Sequence, residues 1–264
     1  MSPEDAADRL SLTHRRALRS AYAILERPDF AARVGAAVGK PMLHRLKLAP
    51  RAVEARLNRA VQSALARAMT IAVRSLSGRR VAHVGLAGAS GAVSGFFGPA
   101  ALALELPVTT VLMLRAIAEV ALKHGEDLSS LEARLNCIAV LGLGVEKGGG
   151  DAGYYGARAA LGRVIADASN LIVERGVVAG AAPAVNAMAG AVAPRFGLVV
   201  SERAAASALP ALGALGGATL NMLFMRHFER AAHGHFTVRR LERVYGDEAV
   251  QAYYRALRFA PAPR

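Results

Sequence analysis

The residues best able to do chemistry stand inside apolar sequence, where a polar group needs a reason to be. Glu105 separates two hydrophobic segments and is followed by Thr109 and Thr110, while Arg115 and Glu119 sit four apart, the spacing at which opposite charges meet on a helix. A buried carboxylate must find a cation or backbone N–H groups, so Glu105 is expected either to pin the structure or to bind a ligand or handle a proton. A second set, Asn221, Arg226, His227, Glu229, His233 and His235, gathers around the end of the last long apolar stretch. Three histidines invite a metal. Yet His227 and His233 are six apart and fall on different helix faces, and Gly234 leaves the direction of His235 open. His233 and His235 therefore stay weak metal candidates, and no cofactor is expected. Asn221, within an apolar run, reads as hydrogen-bonding glue between helices, with contact to a ligand as the alternative.

The familiar catalytic signatures are missing. Gly35 to Lys40 has a phosphate-loop look, but the spacing is one residue short and Pro41 stands where a magnesium-binding Ser or Thr belongs. Gly142-Leu143-Gly144 follows no convincing strand, which disfavours dinucleotide binding. Neither His-Glu-x-x-His nor Gly-x-Ser-x-Gly occurs.

The elements that must position these residues read as helices throughout. Ser2, Pro3 and Asp5 make a helix start, and that helix is expected to run to about Arg27, where Pro28 stops it. Pro50 opens a long arginine-studded helix whose apolar residues Val53, Leu57, Val61, Leu65, Met69 and Val73 recur at four-residue steps. Residues 81–104 follow without a formal charge, with glycines at three- and four-residue intervals, and end at Glu105-Leu106-Pro107. Each glycine inside a helix costs about 1 kcal/mol relative to alanine, and close approach of helix backbones is the usual compensation. Pro107 then starts a strongly periodic helix that Gly125 should stop. Ser129 and Glu132 form a capping box for the next, which fades into the glycine linker at 148–150. Further helices are expected at about 154–174, 182–193 and 201–232, the last kinked at Pro210, with Thr237 and Asp247 capping two short closing helices. No stretch alternates with period two for long enough to make a strand. The expected fold is all-α: a compact multi-helix bundle with a central Gly/Ala-rich helical hairpin. Residues 1–80 would be a basic helical layer and 81–264 the core, as one continuous unit.

Composition bounds the function. The chain of 264 residues carries a net charge of +13, and about ten of those charges fall before Val81. Such a layer suits anionic lipid head groups or nucleic-acid phosphates, or is simply a solvated surface. Nucleic acid is disfavoured, because aromatics interleaved with basic residues are wanting and no nucleic-acid motif is present. The single cysteine and the acidic start point to a reducing cytoplasm. Residues 81–104, 177–194 and 204–225 are as long as membrane spans. Gly, Ala, Ser and Pro gain little from hydrocarbon, so buried close-packed helices are the first reading and membrane insertion the second.

Several stretches, taken in order, resemble the bacterial EcsC family. They are Ser94-Gly95-Phe96-Phe97-Gly98-Pro99, Glu105-Leu106-Pro107-Val108-Thr109-Thr110, Met113-Leu114-Arg115-Ala116-Ile117-Ala118, His124-Gly125-Glu126-Asp127-Leu128 and the segment from Pro210 to Gly217 with Asn221. The run from His227 through His233-Gly234-His235-Phe236, Arg239-Arg240-Leu241-Glu242 and Tyr245-Gly246 is similar to the family's ending. The resemblance implies a helical bundle in a membrane context, beside a transporter operon, and carries over no catalytic residue.

These observations lead to an expected non-enzymatic, membrane-associated accessory protein. It would lie on the inner face of the cell membrane, peripheral or partly inserted, with an anionic membrane surface and a membrane protein as partners. The rival expectation is a hydrolase-like or lipid-handling enzyme with Glu105, Arg115 and Glu119 in a polar pocket, joined by His227 and Glu229.

Overall fold

A computed structural model describes residues 5, 8–26, 65, 106–143, 153–207 and 213–259. The basic helix expected from Pro50 and the glycine-rich run at 81–104, with Glu105, fall outside the described residues apart from Leu65, which is fully buried. Among the described residues the regular structure is helical, without a strand, as the absence of period-two patterning required.

Helix α1, Leu12–Glu26, is shorter than the sequence suggested. The chain breaks at Leu10 and Ser11, and the Ser11 hydroxyl accepts the backbone N–H of His14 at 3.3 Å, which caps a fresh start. Leu18, Ala21 and Leu25 form its buried stripe. Residues 106–123 make helix α2, and its stop is the one expected at Gly125. There φ is +79°, the Gly125 N–H bonds the Leu122 carbonyl and the Glu126 N–H bonds the Ala121 carbonyl, a Schellman motif with glycine in its left-handed position. Helix α3 is Leu131–Ala139. Its cap is Ser130, whose hydroxyl faces the Ala133 N–H, because Ser129 turns instead to Asp127. A 3₁₀ turn, Val140–Gly142, follows.

Helix α4 runs without interruption over Tyr154–Ser207, and α5 over Gly213–Tyr245. The separate helices expected within 154–193 and the starts expected at Ser201 and Thr237 are therefore corrected. Pro183 and Pro194 sit inside α4, although each removes a helix hydrogen bond. What holds the helix through them is packing: Ala184, Met188, Val192, Phe196 and Val200 are buried at four-residue steps. Phe196 meets Phe224 and Phe228 of α5 at ring separations of 6.0 and 5.4 Å. Pro210 lies outside the described residues.

Gly234 does not end a helix. It lies within α5, and a Cβ there would come within 2.9 Å of the Leu25 side chain, so the glycine is the notch into which α1 packs. Helix α6, Asp247–Ala256, starts after Gly246, whose φ of +83° turns the chain, and closes the bundle against α5 and α1. Asp247 is its first residue rather than its cap.

Candidate functional site

On α5, His235, Arg239 and Glu242 recur at helical spacing on one inward face, and α4 begins with Tyr154, Tyr155 and Arg158 opposite them. The α4 start is set by Glu26 at the end of α1. One carboxylate oxygen accepts the Tyr154 backbone N–H at 3.1 Å and the Tyr254 hydroxyl at 3.0 Å, placing a negative charge at a helix N-terminus. A side chain at Gly153 would collide with that carboxylate. From this anchored turn Arg158 reaches Glu242 at 2.6 Å, Tyr155 donates to the same Glu242 oxygen at 3.1 Å, and the Tyr154 hydroxyl lies 2.9 Å from His235 Nδ1. Burial pushes the Tyr154 and Tyr155 phenols well above their ordinary range, so both keep their protons. Burial, then the charges of Arg158 and Arg239, hold the His235 imidazole well below its ordinary range, leaving it neutral.

The turn at Gly125 delivers the second half of the polar layer. Glu126, only 7% exposed, accepts Nε and Nη2 of Arg239 at 3.0 and 3.1 Å and also pairs with Arg243. Burial alone would raise its carboxyl, but the hydrogen bonds from Arg239 and Arg243 outweigh that and hold it below the usual range. Arg243 also bonds the His124 carbonyl at 2.6 Å, and His124 Nε2 lies 3.3 Å from His233 Nδ1. Arg239 further approaches Glu132 of α3 at 3.5 Å.

Between α3, α4 and α5 these groups border a cleft of about 390 Å³. Its polar side presents Arg158, Arg239 and His235, with Glu132 at the rim; its apolar side presents Leu143, Leu161 and Ile165. His235 is fully buried, and its Nε2 has no hydrogen-bond partner although Nδ1 is engaged by Tyr154. Ser169 also lines the cleft, and no hydrogen bond joins it to His235 among the described residues. The arrangement suits binding: fixed donors lie beside an apolar stretch of Leu143, Leu161 and Ile165, with Asn136, Ser169 and Asn170 as further polar lining.

A family model for the EcsC protein family matches residues 72–241, more than half of the chain. The protein belongs to the EcsC family. No curated protein and no solved structure matches it. The matched EcsC region contains every residue lining the cleft, whereas Glu26, Glu242 and Arg243, which brace it, lie outside.

Of the residues singled out from the sequence of this EcsC protein, His235 lines the cleft and the other described ones sit elsewhere. Glu105 lies outside the described residues. Thr109 is buried on α2, while Arg115 and Glu119 are half-buried there, and the ion pairs of the described residues are formed by other groups. Asn221 and His227 are buried on α5, the latter with its ring against Phe228, and Glu229 is exposed. Of these, none of the described residues lines the cleft. His233 and His235 part company, one to His124 and the other to Tyr154, and no group of three metal-ligating side chains occurs among the described residues. Cys137 is buried, and its thiol is pushed up to about 12 by that burial, which leaves it unreactive. The signal that could have found the site is the i, i+4, i+7 recurrence of His235, Arg239 and Glu242, matched by Tyr154 and Arg158 at i, i+4.

Proposed function

We propose that this EcsC-family protein is a non-enzymatic accessory protein on the cytoplasmic face of the cell membrane, held to anionic lipid and serving a membrane protein concerned with transport or secretion. The observation that carries the reading is the outer face of α4, where the exposed residues Asn186, Ala187, Gly190, Pro194 and Leu198 run without a charge. On α5 the exposed Thr219 and Met222 are likewise uncharged, and charges begin at Arg226. A soluble surface of that length would ordinarily carry interspersed charges. The basic excess before Val81 supplies the complementary attraction, about 1 kcal/mol for each Lys or Arg near an anionic surface. Full spanning is not part of the reading. Pro183–Val200 is the one helical window among the described residues long and apolar enough to cross a membrane, with mean hydropathy 1.2, yet 56% of it is buried against the protein itself.

Vesicle flotation tests the proposal. The full chain is expected to float with vesicles containing phosphatidylglycerol at low salt and to be largely released at high salt, with little binding to phosphatidylcholine alone. A chain that stays in the dense fraction with phosphatidylglycerol vesicles at low salt overturns it. The hydrolase-like alternative loses ground because Arg115, Glu119, His227 and Glu229 do not line the cleft.

A further inference from the structure

The cleft between α3, α4 and α5 is a built site that the membrane-docking reading leaves unused. Its polar end is preformed, because Glu242 fixes Arg158 and Glu126 fixes Arg239. A guanidinium has five N–H donors. Those two glutamates, with Glu132, engage Nη1 of Arg158 and Nε and Nη2 of Arg239, which among the described residues leaves further donors on both arginines. Between them stands His235, fully buried with Nε2 unpartnered. Leaving a buried polar atom unpaired costs about 1–3 kcal/mol, a cost that a ligand's hydrogen bond would remove. Where the Tyr154 hydroxyl donates to Nδ1, Nε2 carries the ring proton and is a third donor beside the two arginines.

The occupant is constrained by both kinds of lining. Glu242, Glu126 and Glu132 balance the charges of Arg158, Arg239 and Arg243. The polar lining therefore offers N–H donors rather than a net charge, which suits the acceptor oxygens of a monoanion better than the charge of a dianion. Leu143, Leu161 and Ile165 then ask for a hydrocarbon body. We infer that the cleft binds a small amphiphilic carboxylate, its head held by Arg158, His235 and Arg239 and its chain lying on Leu143, Leu161 and Ile165. The volume of about 390 Å³ falls within the range of small-molecule sites.

Gly162 supplies a clean test. It lines the cleft on α4, and a Cβ there would meet nothing within 4 Å, so Gly162→Leu should fill the site without disturbing the fold. Saturation-transfer NMR on the full chain, with decanoate and decanol below their aggregation limits, reads binding. Decanoate is expected to bind, decanol to bind roughly tenfold to a hundredfold more weakly, and Gly162→Leu to lose decanoate while keeping or raising the melting temperature. Equal binding of the acid and the alcohol, or decanoate binding unchanged in a folded Gly162→Leu, overturns the inference. Because these measurements contain no membrane, their failure leaves the docking proposal standing, and failed flotation leaves this site standing.

Discussion

The Glu126 carboxylate receives Nε and Nη2 of Arg239 at 3.0 and 3.1 Å, a two-point grip between residues 113 apart in the chain. The grip ties the turn after α2 to the C-terminal part of α5, and Arg243 adds a second cation. Glu126→Gln would leave Arg239 with only the exposed Glu132 and should destabilise the fold by about 3 kcal/mol, the low end for breaking a buried pair because Arg243 is 43% exposed. Since the Glu126 carboxyl is held below its ordinary range, its contribution is complete above the unfolded carboxyl range and disappears as pH falls through the folded value. Urea unfolding at pH 7 and at decreasing pH should show the parent losing stability on acidification more steeply than Glu126→Gln.

His124 acts in a neighbouring window. Burial, followed by the charge of Arg240, lowers its imidazole to about 4 from an ordinary 6.5, while His233 occupies Nε2. The unfolded chain therefore binds a proton between those values that the folded chain refuses, so stability should fall as pH drops from 6.5 toward 4. His235, held neutral by burial, pushes in the same direction. The His124 ring protons followed by NMR should titrate near the lowered value, and His124→Gln should flatten part of the slope. A His124 midpoint at the ordinary value would show that its charged form is not disfavoured.

The packed helices were legible in the sequence wherever a local cause sets them. Gly125 stops α2 because the left-handed position favours glycine, and that is visible one residue at a time. Gly234 gives the opposite case, since its partner Leu25 is far away in sequence and nothing local distinguishes a helix stop from a notch. Pro183 and Pro194 misled for the same reason, as the burial that carries α4 through them is tertiary. Of the polar groups that line or brace the cleft, the sequence singled out His235 and not Arg158, Arg239 or Glu242, because a charge embedded in an apolar run is the more visible signal. The residues that assemble the site stand in polar sequence, and their common face emerges only on a continuous α5.

Gly153 bears on how the site is held. Its missing side chain leaves room for Glu26, whose carboxylate orders the first turn of α4 and so aims Tyr154 and Arg158. Gly153→Ala should displace that carboxylate and cost roughly 1–3 kcal/mol, as overpacking commonly does. Glu26→Gln should cost less, about 1 kcal/mol, because an amide oxygen can still accept from Tyr154 while the charge at the helix start is lost. Thermal melts of both variants check the order, and a Gly153→Ala chain as stable as the parent would remove Glu26 from the account of the site.

Two glycines inside long helices should answer the same substitution with opposite signs. Gly162 faces open space, so Gly162→Ala should gain about 0.8–1 kcal/mol from helix propensity alone. Gly234 meets Leu25 at 2.9 Å, so the same gain at Gly234→Ala is opposed by overpacking of about 1–3 kcal/mol, and the net should be a loss. Shortening the partner separates cause from accident. Leu25→Ala alone leaves a cavity costing about 2–5 kcal/mol, but in that background Gly234→Ala should turn from harmful to neutral or helpful, because the methyl fills space that Leu25 has vacated. Denaturant midpoints for the four chains give the coupling directly. If Gly234→Ala costs the same with and without Leu25, the close approach of α1 is not what the glycine serves.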